Sequence, residues 1–338
     1  MTTADQLSRP GGDPSVPLGG HSRWIDIDGP VRYLDFGGPA DGPVLVCVHG
    51  LGGSATNWMA IAPLLTGRYR MIAPDLAGHG LTRSSGRGAG VSANRALLHR
   101  FITATCSGPV ILVGNSMGGM IALLETVEAP QTVVGLILLD PALPLLPVLP
   151  GPLVLAMFAL YITPGLGSVL MSRRRGQSAE AVVASVLEMC CADPSRVPPD
   201  VVAQHVALVK RRGAITEAER DFAQATRSVV ATVGYVHGRA YRRGIRSITC
   251  PVLLLHGGRD RLVPAAAARA AARRNPSWSV MIFPDVGHVP QLEAPQETAT
   301  AITQWLAAAG EPAAAAATPA AATPAATSAA PPAPHLPI

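Results

Sequence analysis

Six short apolar runs recur along the chain, and they constrain the fold more than any other feature. They are V-L-V-C-V (44–48), Y-R-M-I-A (69–73), P-V-I-L-V (109–113), V-V-G-L-I-L-L (133–139), P-V-L-L-L (251–255) and W-S-V-M-I-F (278–283). Runs of this length without polar alternation are typical of strands buried on both faces, as in parallel sheets covered by helices. Helical patterns separate several of them, as over Met117–Glu128 and Ala265–Arg274. The sequence therefore predicts an α/β fold with a mostly parallel, doubly wound sheet.

The two ends of the chain differ from this pattern. Residues 1–21 are rich in Gly and Pro and are predicted to form a flexible leader. After it, two stretches that alternate apolar and polar residues flank a Gly-Pro turn, which predicts an antiparallel hairpin. Residues 311–338 are rich in Ala, Pro and Thr and are predicted to be a disordered tail. The α/β core is thereby assigned to residues 22–140 and 246–310.

The alternation of strands and helices stops after Asp140. Residues 141–245 begin with an uncharged stretch, 141–172, that six prolines interrupt, and then carry three helical patterns. The start signals of these helices are Ser178, Asp200 and a capping box of Thr216 with Glu219. We therefore predict a largely helical cap over residues 141–245, inserted after the sixth core strand.

The net charge of +5 is concentrated in the predicted cap. Residues 141–245 contain 12 Lys+Arg and 7 Asp+Glu, whereas the rest of the chain is balanced. A local excess favours attraction to anionic lipid headgroups or to an acidic substrate over general nucleic-acid binding, although a solvated basic surface explains it equally well. The longest proline-free piece of the uncharged stretch, 153–163, is shorter than the ~20 residues of a membrane-spanning helix.

Cysteine usage and the first residues bear on the compartment. The five cysteines are an odd number with no C-x-x-C pair, which predicts reduced thiols and neither a disulfide framework nor a zinc site. The N-terminus contains no apolar segment typical of a secretory signal. These features predict a cytoplasmic protein. No G-x-G-x-x-G or P-loop motif opens a helix, so no cofactor is predicted, and no obligate protein partner is evident. Peripheral binding to an anionic membrane through the cap is compatible with them.

Residues 110–119, V-I-L-V-G-N-S-M-G-G, place a single serine where an apolar strand meets a helical pattern. The G-x-S-x-G motif consists of Gly114, Asn115, Ser116, Met117 and Gly118. In this context the serine occupies a sharp strand-to-helix turn, and the glycines leave room for neighbouring segments and keep the hydroxyl clear of the sheet. Ser116 is therefore the candidate nucleophile. The alternative is an ordinary glycine-rich turn.

A serine hydroxyl needs a base near neutral pH, and that base needs a carboxylate to orient it. His288 follows the last apolar run, in F-P-D-V-G-H-V-P, and Asp260 follows the run before it, in H-G-G-R-D-R-L-V-P. The order Ser116, Asp260, His288 is that of the α/β-hydrolase fold. Asp140, at the end of the fourth apolar run, is the alternative acid. No spacing of His, Asp and Glu resembles a metal site, and His256 is predicted to be structural.

Attack on a carbonyl produces an oxyanion, which two main-chain N–H groups must stabilise. Met117, the residue after the candidate nucleophile, would supply one. The loop H-G-L-G-G (49–53) follows the first apolar run and has little side-chain bulk, so we assign the second donor to Leu51. Loss of one such donor typically removes ~3 kcal/mol of transition-state stabilisation. His49 and Gly50 are predicted to order this loop.

Five motifs occur in the expected order: H-G-x-G-G, P-D-x-x-G-H-G, G-x-S-x-G, G-x-x-D and G-H. Together they resemble the α/β-hydrolase superfamily, in its cap-bearing branch, over residues 22–308. The resemblance implies a serine hydrolase that acts on a small molecule. It argues against epoxide hydrolases and haloalkane dehalogenases, which carry Asp as the nucleophile. The same scaffold supports many reactions, so the substrate is less well defined than the fold.

The leading hypothesis is hydrolysis of a carboxylic ester with an apolar or lipid-like acyl group, through an acyl-enzyme. The uncharged stretch in the cap favours an apolar ligand. G-N-S-M-G-G is also similar to the serine turn of carbon–carbon bond hydrolases of ring-cleavage products, but Gly53 and Val289 stand where that family typically has Pro and Trp. Further alternatives are a cofactor-free perhydrolase or haloperoxidase-like activity, and a catalytically idle scaffold that binds a ligand.

Overall fold

A computed structural model describes residues 19–84, 86–144, 176–213 and 217–310, and five further positions between 151 and 215. Several predictions concern residues outside these ranges. They are the disordered tail, nearly all of the leader, most of the uncharged stretch 141–172, and Thr216 of the capping box.

Within the described ranges, eight strands form a single sheet in the spatial order β1-β2-β4-β3-β5-β6-β7-β8. The strands are β1 His21–Asp26, β2 Pro30–Gly37, β3 Val44–Val48, β4 Arg70–Pro74, β5 Val110–Asn115, β6 Val133–Leu139, β7 Val252–Gly257 and β8 Ser279–Phe283. Strand β2 runs antiparallel to both of its neighbours, and β3 to β8 run parallel to one another. This confirms the predicted α/β fold with a mostly parallel sheet.

Helices cover both faces of the sheet. They are α1 Ala62–Leu65, α2 Val91–Thr105, α3 Met117–Glu128, α4 Ala179–Cys190, α5 Pro199–Arg212, α6 Ala218–Val233, α7 Tyr235–Arg246, α8 Ala265–Arg274, α9 Pro290–Glu293 and α10 Pro295–Ala308, with 3₁₀ turns at Ala55–Trp58, Pro130–Thr132 and Pro194–Arg196. Helices α2, α3 and α8 contribute buried residues to one hydrophobic cluster, and α1 and α10 contribute to the other.

Successive residues of the central strands point into different hydrophobic clusters. In β5, Leu112 lies in one cluster, whereas Ile111 and Val113 lie in the other. In β6, Leu138 and Ile137 are divided in the same way. Because side chains alternate across a strand, a strand covered on both faces is apolar at every position. This explains why the six runs lack polar alternation.

Helices α4 to α7 lie in the insert between β6 and β7. The Ser178 hydroxyl accepts a hydrogen bond from the Ala181 N–H (3.1 Å), so the N-cap predicted there is present. The N-cap predicted at Asp200 is wrong, because α5 begins at Pro199 and Asp200 lies in the first turn. Proline is favoured at the first helical position, since its fixed φ suits a helix and no N–H is needed there.

Helix α6 of the insert binds to the N-terminus of α2. The residue before α2, Gly90, has no side chain that could accept from the first N–H groups. Instead, Ser228 Oγ accepts from the Val91 N–H (2.9 Å), and Gln224 Oε1 accepts from the Ala89 N–H (3.0 Å). The insert thereby caps a core helix with side chains from a distant part of the sequence.

A buried ion pair joins β2 to the loop that follows β4. Arg32 Nη1 lies 3.0 Å from Asp75 Oδ2, and the two side chains are 6% and 0% exposed. The Asp75 carboxylate also accepts the N–H groups of Ala55 and Leu81, both at 2.8 Å. These contacts fix the loop after β4 beside the loop after β3.

Replacement of Arg32 by leucine is expected to lower the free energy of unfolding by about 3–5 kcal/mol, because the Asp75 carboxylate then stays buried without its cation. Urea unfolding followed by circular dichroism measures the change. The matched control is Arg23→Leu, since Arg23 is exposed on the neighbouring strand β1. Its loss should change stability by no more than ~0.5 kcal/mol. Equal losses in the two variants would contradict the prediction.

Candidate active site

Ser116 occupies the turn between β5 and α3. Its backbone angles are φ 54° and ψ −118°, a conformation that residues other than glycine rarely adopt. The Ser116 N–H donates to the Leu139 carbonyl, and the Ser116 carbonyl accepts from the N–H groups of Met120 and Ala142. The Ser116 residue is partly exposed. Met117 begins α3, and an N–H in the first turn of a helix has no acceptor within the helix.

Two glycines of the motif allow the segments around Ser116 to touch. A Cβ on Gly118 would lie 2.1 Å from the carbonyl oxygen of Val48 in β3. A Cβ on Gly114 would lie 2.6 Å from the carbonyl oxygen of Gly118. Both distances are too short for any side chain, so glycine is required for α3 to approach the sheet this closely.

His288 lies between β8 and α9, and Asp260 lies between β7 and α8. His288 Nδ1 is 2.7 Å from Asp260 Oδ2, and the two side chains are 5% and 0% exposed. Asp260 Oδ1 accepts the N–H groups of Leu262 (2.7 Å) and Val263 (3.0 Å). Burial opposes ionisation of Asp260, but the electrostatic interaction with His288 and the hydrogen bond from its ring outweigh burial and lower the pKa of Asp260. The structure thus joins two of the three predicted residues directly.

Asn115 links the loop of His288 to the turn of Ser116. Its buried Nδ2 donates to the carbonyl oxygens of His288 and Leu139, both at 3.0 Å. The described contacts include no hydrogen bond between Ser116 Oγ and the His288 ring, a contact that often tightens only when substrate binds. The turn of Ser116, the third predicted residue, is therefore linked to the loop of His288 through the Asn115 side chain.

Asp140, the alternative acid, lies directly after β6 and makes no hydrogen bond to His288 among the described contacts. Its Oδ1 accepts from the Gly257 N–H (2.8 Å) and lies 3.5 Å from His256 Nδ1. Burial raises the pKa of Asp140 well above its usual range, and the neighbouring charge of Asp260 raises it further. A neutral Asp140 beside an ionised Asp260 leaves Asp260 as the carboxylate that bonds to the imidazole.

Asp140, His256 and Asp260 form a buried cluster that the sequence did not reveal. Their possible ligand atoms lie within 4.8 Å of one another, a spacing that could hold a metal ion, whereas the sequence predicted no such group. Several of these atoms are already bonded within the chain. His256 Nε2 pairs with the Val263 carbonyl (3.0 Å), and Asp260 Oδ2 pairs with His288. The cluster fits support of Asp260 better than cation binding. His256 and Asp260 are four residues apart, but Asp140 is far from both in sequence, so no local spacing indicates the group of three.

The loop after β3 packs directly against Ser116. A Cβ on Gly50 would lie 3.1 Å from Ser116 Cβ. His49 Nδ1 donates to the Gly50 carbonyl (2.8 Å), while His49 Nε2 accepts from the Leu76 N–H (3.0 Å). Burial lowers the pKa of His49, so the ring stays neutral, as this pattern of one donor and one acceptor requires. The ring thus fixes the loop that contains Leu51.

Comparisons with known proteins identify the fold family but leave the substrate open. The model of the alpha/beta hydrolase family matches residues 45–301. The dihydrolipoyllysine-residue acetyltransferase component of the acetoin cleaving system of Cupriavidus necator is 29% identical over 80% of this chain, and the chain spans 65% of that protein's length. The magnesium-chelatase 30 kDa subunit of Rhodobacter capsulatus is 31% identical, with 80% of this chain and 88% of that protein covered.

Among solved structures, the chain is similar to a membrane phospholipase A that is a bacterial virulence factor. The two are 26% identical and superpose with a TM-score of 0.66, over 86% of this chain and 87% of the other. The names of these three proteins state different activities.

The neighbouring carboxyl groups of Asp260 and Asp140 should differ sharply when each is replaced by asparagine. Asp260→Asn should slow the labelling of Ser116 by a fluorophosphonate about 10⁴-fold, because the imidazole loses the acceptor that sets its tautomer. Asp140→Asn should change the rate less than about threefold, since a neutral carboxyl and an amide carry the same charge. The second-order rate constant of labelling measures both effects. A comparable loss in the Asp140 variant would contradict the assignment.

Proposed function

Because the chain belongs to the alpha/beta hydrolase family, we propose that it is a serine hydrolase that cleaves carboxylic esters. The observation that carries the proposal is the 2.7 Å hydrogen bond between His288 Nδ1 and Asp260 Oδ2, on a loop that Asn115 links to the Ser116 turn. An imidazole that donates from Nδ1 to a carboxylate keeps Nε2 free to accept a proton. His288 is accordingly the proposed base and Ser116 the proposed nucleophile.

The proposed reaction proceeds through an acyl-enzyme. Ser116 Oγ attacks the ester carbonyl while His288 Nε2 takes its proton, and the N–H groups of Leu51 and Met117 stabilise the oxyanion. His288 then gives the proton to the departing alcohol, which leaves the acyl group on Ser116. Water attacks this acyl-enzyme with His288 again as the base, so that the acid is released and the serine is restored.

We infer that the acyl group is apolar. Phe222 of α6 packs on the loop that contains Leu51, since a Cβ on Gly52 would lie 3.1 Å from the Phe222 ring. An aromatic side chain thus lies beside the proposed oxyanion site, and mostly apolar walls are typical of small-molecule pockets. The similarity to a phospholipase also favours a lipid-like ester.

We propose that the insert over residues 141–245 forms a cap on the core. The contact of Phe222 with Gly52 supports this role. A second contact involves Arg212 in α5, whose guanidinium donates to the carbonyl oxygens of Gly78 (3.2 Å) and Gly80 (2.7 Å). Both contacts are made to loops that follow core strands, at the sheet edge where ligands of α/β folds bind.

None of the helices in the described ranges combines the length and the apolar character needed to span a bilayer. We propose instead that the cap binds anionic membranes peripherally, since α7 contains no Asp or Glu and exposes Arg239, Arg243 and Arg246.

Flotation with anionic vesicles should recover the protein at low salt and less of it at high salt, because salt screens exposed charges. Arg243→Glu should bind less than the control Arg83→Glu. Failure to bind at every salt concentration would contradict this proposal.

Hydrolysis of p-nitrophenyl esters should increase in kcat/KM from acetyl to medium-chain acyl groups, because an apolar pocket gains about 0.8 kcal/mol per buried CH₂. Ser116→Ala should reduce kcat about 10⁶-fold through loss of the nucleophile. Ser277→Ala, at an exposed serine after α8, is the matched control and should leave kcat unchanged.

Two outcomes would contradict ester hydrolysis. If wild-type protein is not labelled by a fluorophosphonate, Ser116 is not an activated nucleophile. If the chain-length profile is flat and a dienoic ring-cleavage product is turned over, the protein is a carbon–carbon bond hydrolase.

A further inference from the structure

The main chain of His288 is bound from two sides. On one side, the His288 carbonyl accepts from Asn115, which precedes the proposed nucleophile. On the other side, the His288 N–H donates to the Cys190 carbonyl (2.6 Å), at the last residue of α4 in the insert. The placement of the imidazole therefore depends on the insert as well as on the core.

A buried glutamate, Glu293, lies where these two parts of the chain meet. Its side chain is 0% exposed. Its Oε2 accepts the N–H groups of Gly287 (2.8 Å) and Ala192 (3.1 Å), and its Oε1 accepts the N–H of Asp193 (2.8 Å). One carboxylate thus joins the residue before His288 to the segment that follows α4.

The two main chains that Glu293 joins approach each other closely at Gly287. A Cβ on Gly287 would lie 2.3 Å from the Cys190 carbonyl oxygen and 2.7 Å from the Ala192 nitrogen. A buried charge is tolerated only when it is hydrogen bonded. If the insert segment moved away, Glu293 would lose the N–H groups of Ala192 and Asp193 and also the Arg196 guanidinium, which lies 4.0 Å from its Oε1. The carboxylate therefore favours the state in which the segment and the loop of His288 stay together.

Two arginines make parallel links between the same insert segment and the loops of the proposed site. Arg196 donates to the carbonyl of Asp285 (3.0 Å), in the loop of His288. Arg261, the residue after Asp260, donates to the carbonyl of Glu188 in α4 (2.8 Å). Residues 188–196 consequently contact both loops that carry the proposed base and its acid.

We propose that Glu293 is a positioning residue, which acts through Gly287 and couples the placement of the His288 imidazole to the docking of insert residues 188–196. This inference rests on the proposed function, in which His288 is the base. Glu293 itself does not touch the substrate. Its loss should therefore affect the chemical step much more than the binding of the ester.

The test compares Glu293→Gln and Glu293→Leu with Glu297→Gln, a control at an exposed glutamate in α10. The glutamine keeps one carbonyl oxygen that can still accept from Gly287, whereas the leucine accepts nothing. We expect kcat per titrated active site to fall about 10- to 100-fold in the glutamine variant and further in the leucine variant, because small displacements of a reacting group are costly. KM should change less than threefold, and the control should match wild type.

Hydrogen exchange provides a readout that does not depend on turnover. In the glutamine variant, the amides of Gly287, Ala192 and Asp193 should exchange faster together, because all three lose the same charged acceptor. An unchanged kcat per active site with a lowered melting temperature would show a merely structural role and overturn the proposal. Faster exchange on only one of the two segments would overturn the coupling between them.

The same experiments separate this inference from the proposed function. If wild-type protein shows no initial burst of product from a p-nitrophenyl ester and no labelling by a fluorophosphonate, the proposed function fails. The hydrogen-exchange rates alone then decide whether Glu293 couples the two segments. If the Glu293 variants do not fold, Arg196→Gln replaces them, since Arg196 is 44% exposed and links the same segments. We expect a three- to tenfold lower kcat with KM unchanged, and a kcat equal to that of wild type would overturn the proposal.

Discussion

The proposed site depends on the strained turn at Ser116. A residue other than glycine at φ 54° costs on the order of 1–3 kcal/mol, so the surrounding structure must stabilise it. Hydrogen bonds from the turn to Leu139 and Ala142 do so, and they join it to β6 and the segment that follows. The absence of a side chain at Gly118 allows the start of α3 to pack directly against β3. Because the turn is fixed from several sides, the serine hydroxyl has a defined position relative to the loops around it.

Electrostatics determines which of two neighbouring carboxyl groups can orient the imidazole. Asp260 receives two main-chain N–H groups and the His288 ring, whereas Asp140 receives one N–H, from Gly257. Burial opposes the charged form of both groups, but the electrostatic interaction and the hydrogen bond with His288 lower the pKa of Asp260, whereas burial raises that of Asp140. Two buried carboxyl groups that lie next to each other cannot both ionise easily. The contact with His288 therefore favours the negative charge on Asp260 rather than on Asp140.

The insert is part of the same hydrogen-bonded structure as the core. Helix α6 caps α2, α5 binds the loop after β4 through Arg212, and the segment after α4 binds Glu293 beside the loop of His288. Each contact satisfies a main-chain group or a buried charge that would otherwise lack a partner. Substitutions in the insert can consequently affect the geometry of the proposed base without touching the substrate.

The sequence by itself determined the strands, the serine turn and the order of the candidate residues, because these depend on local properties. Apolar runs indicate doubly covered strands, and the glycines at 114 and 118 indicate a close crossing of chain segments. The sequence pattern indicated the wrong start for α5. Proline at the first helical position, rather than Asp200 as a cap, begins this helix. The ionisation of Asp140, the cluster around His256 and the contacts of Glu293 were decided only by the tertiary structure. They depend on desolvation and on hydrogen bonds between segments far apart in the chain, for which a sequence pattern carries no signal.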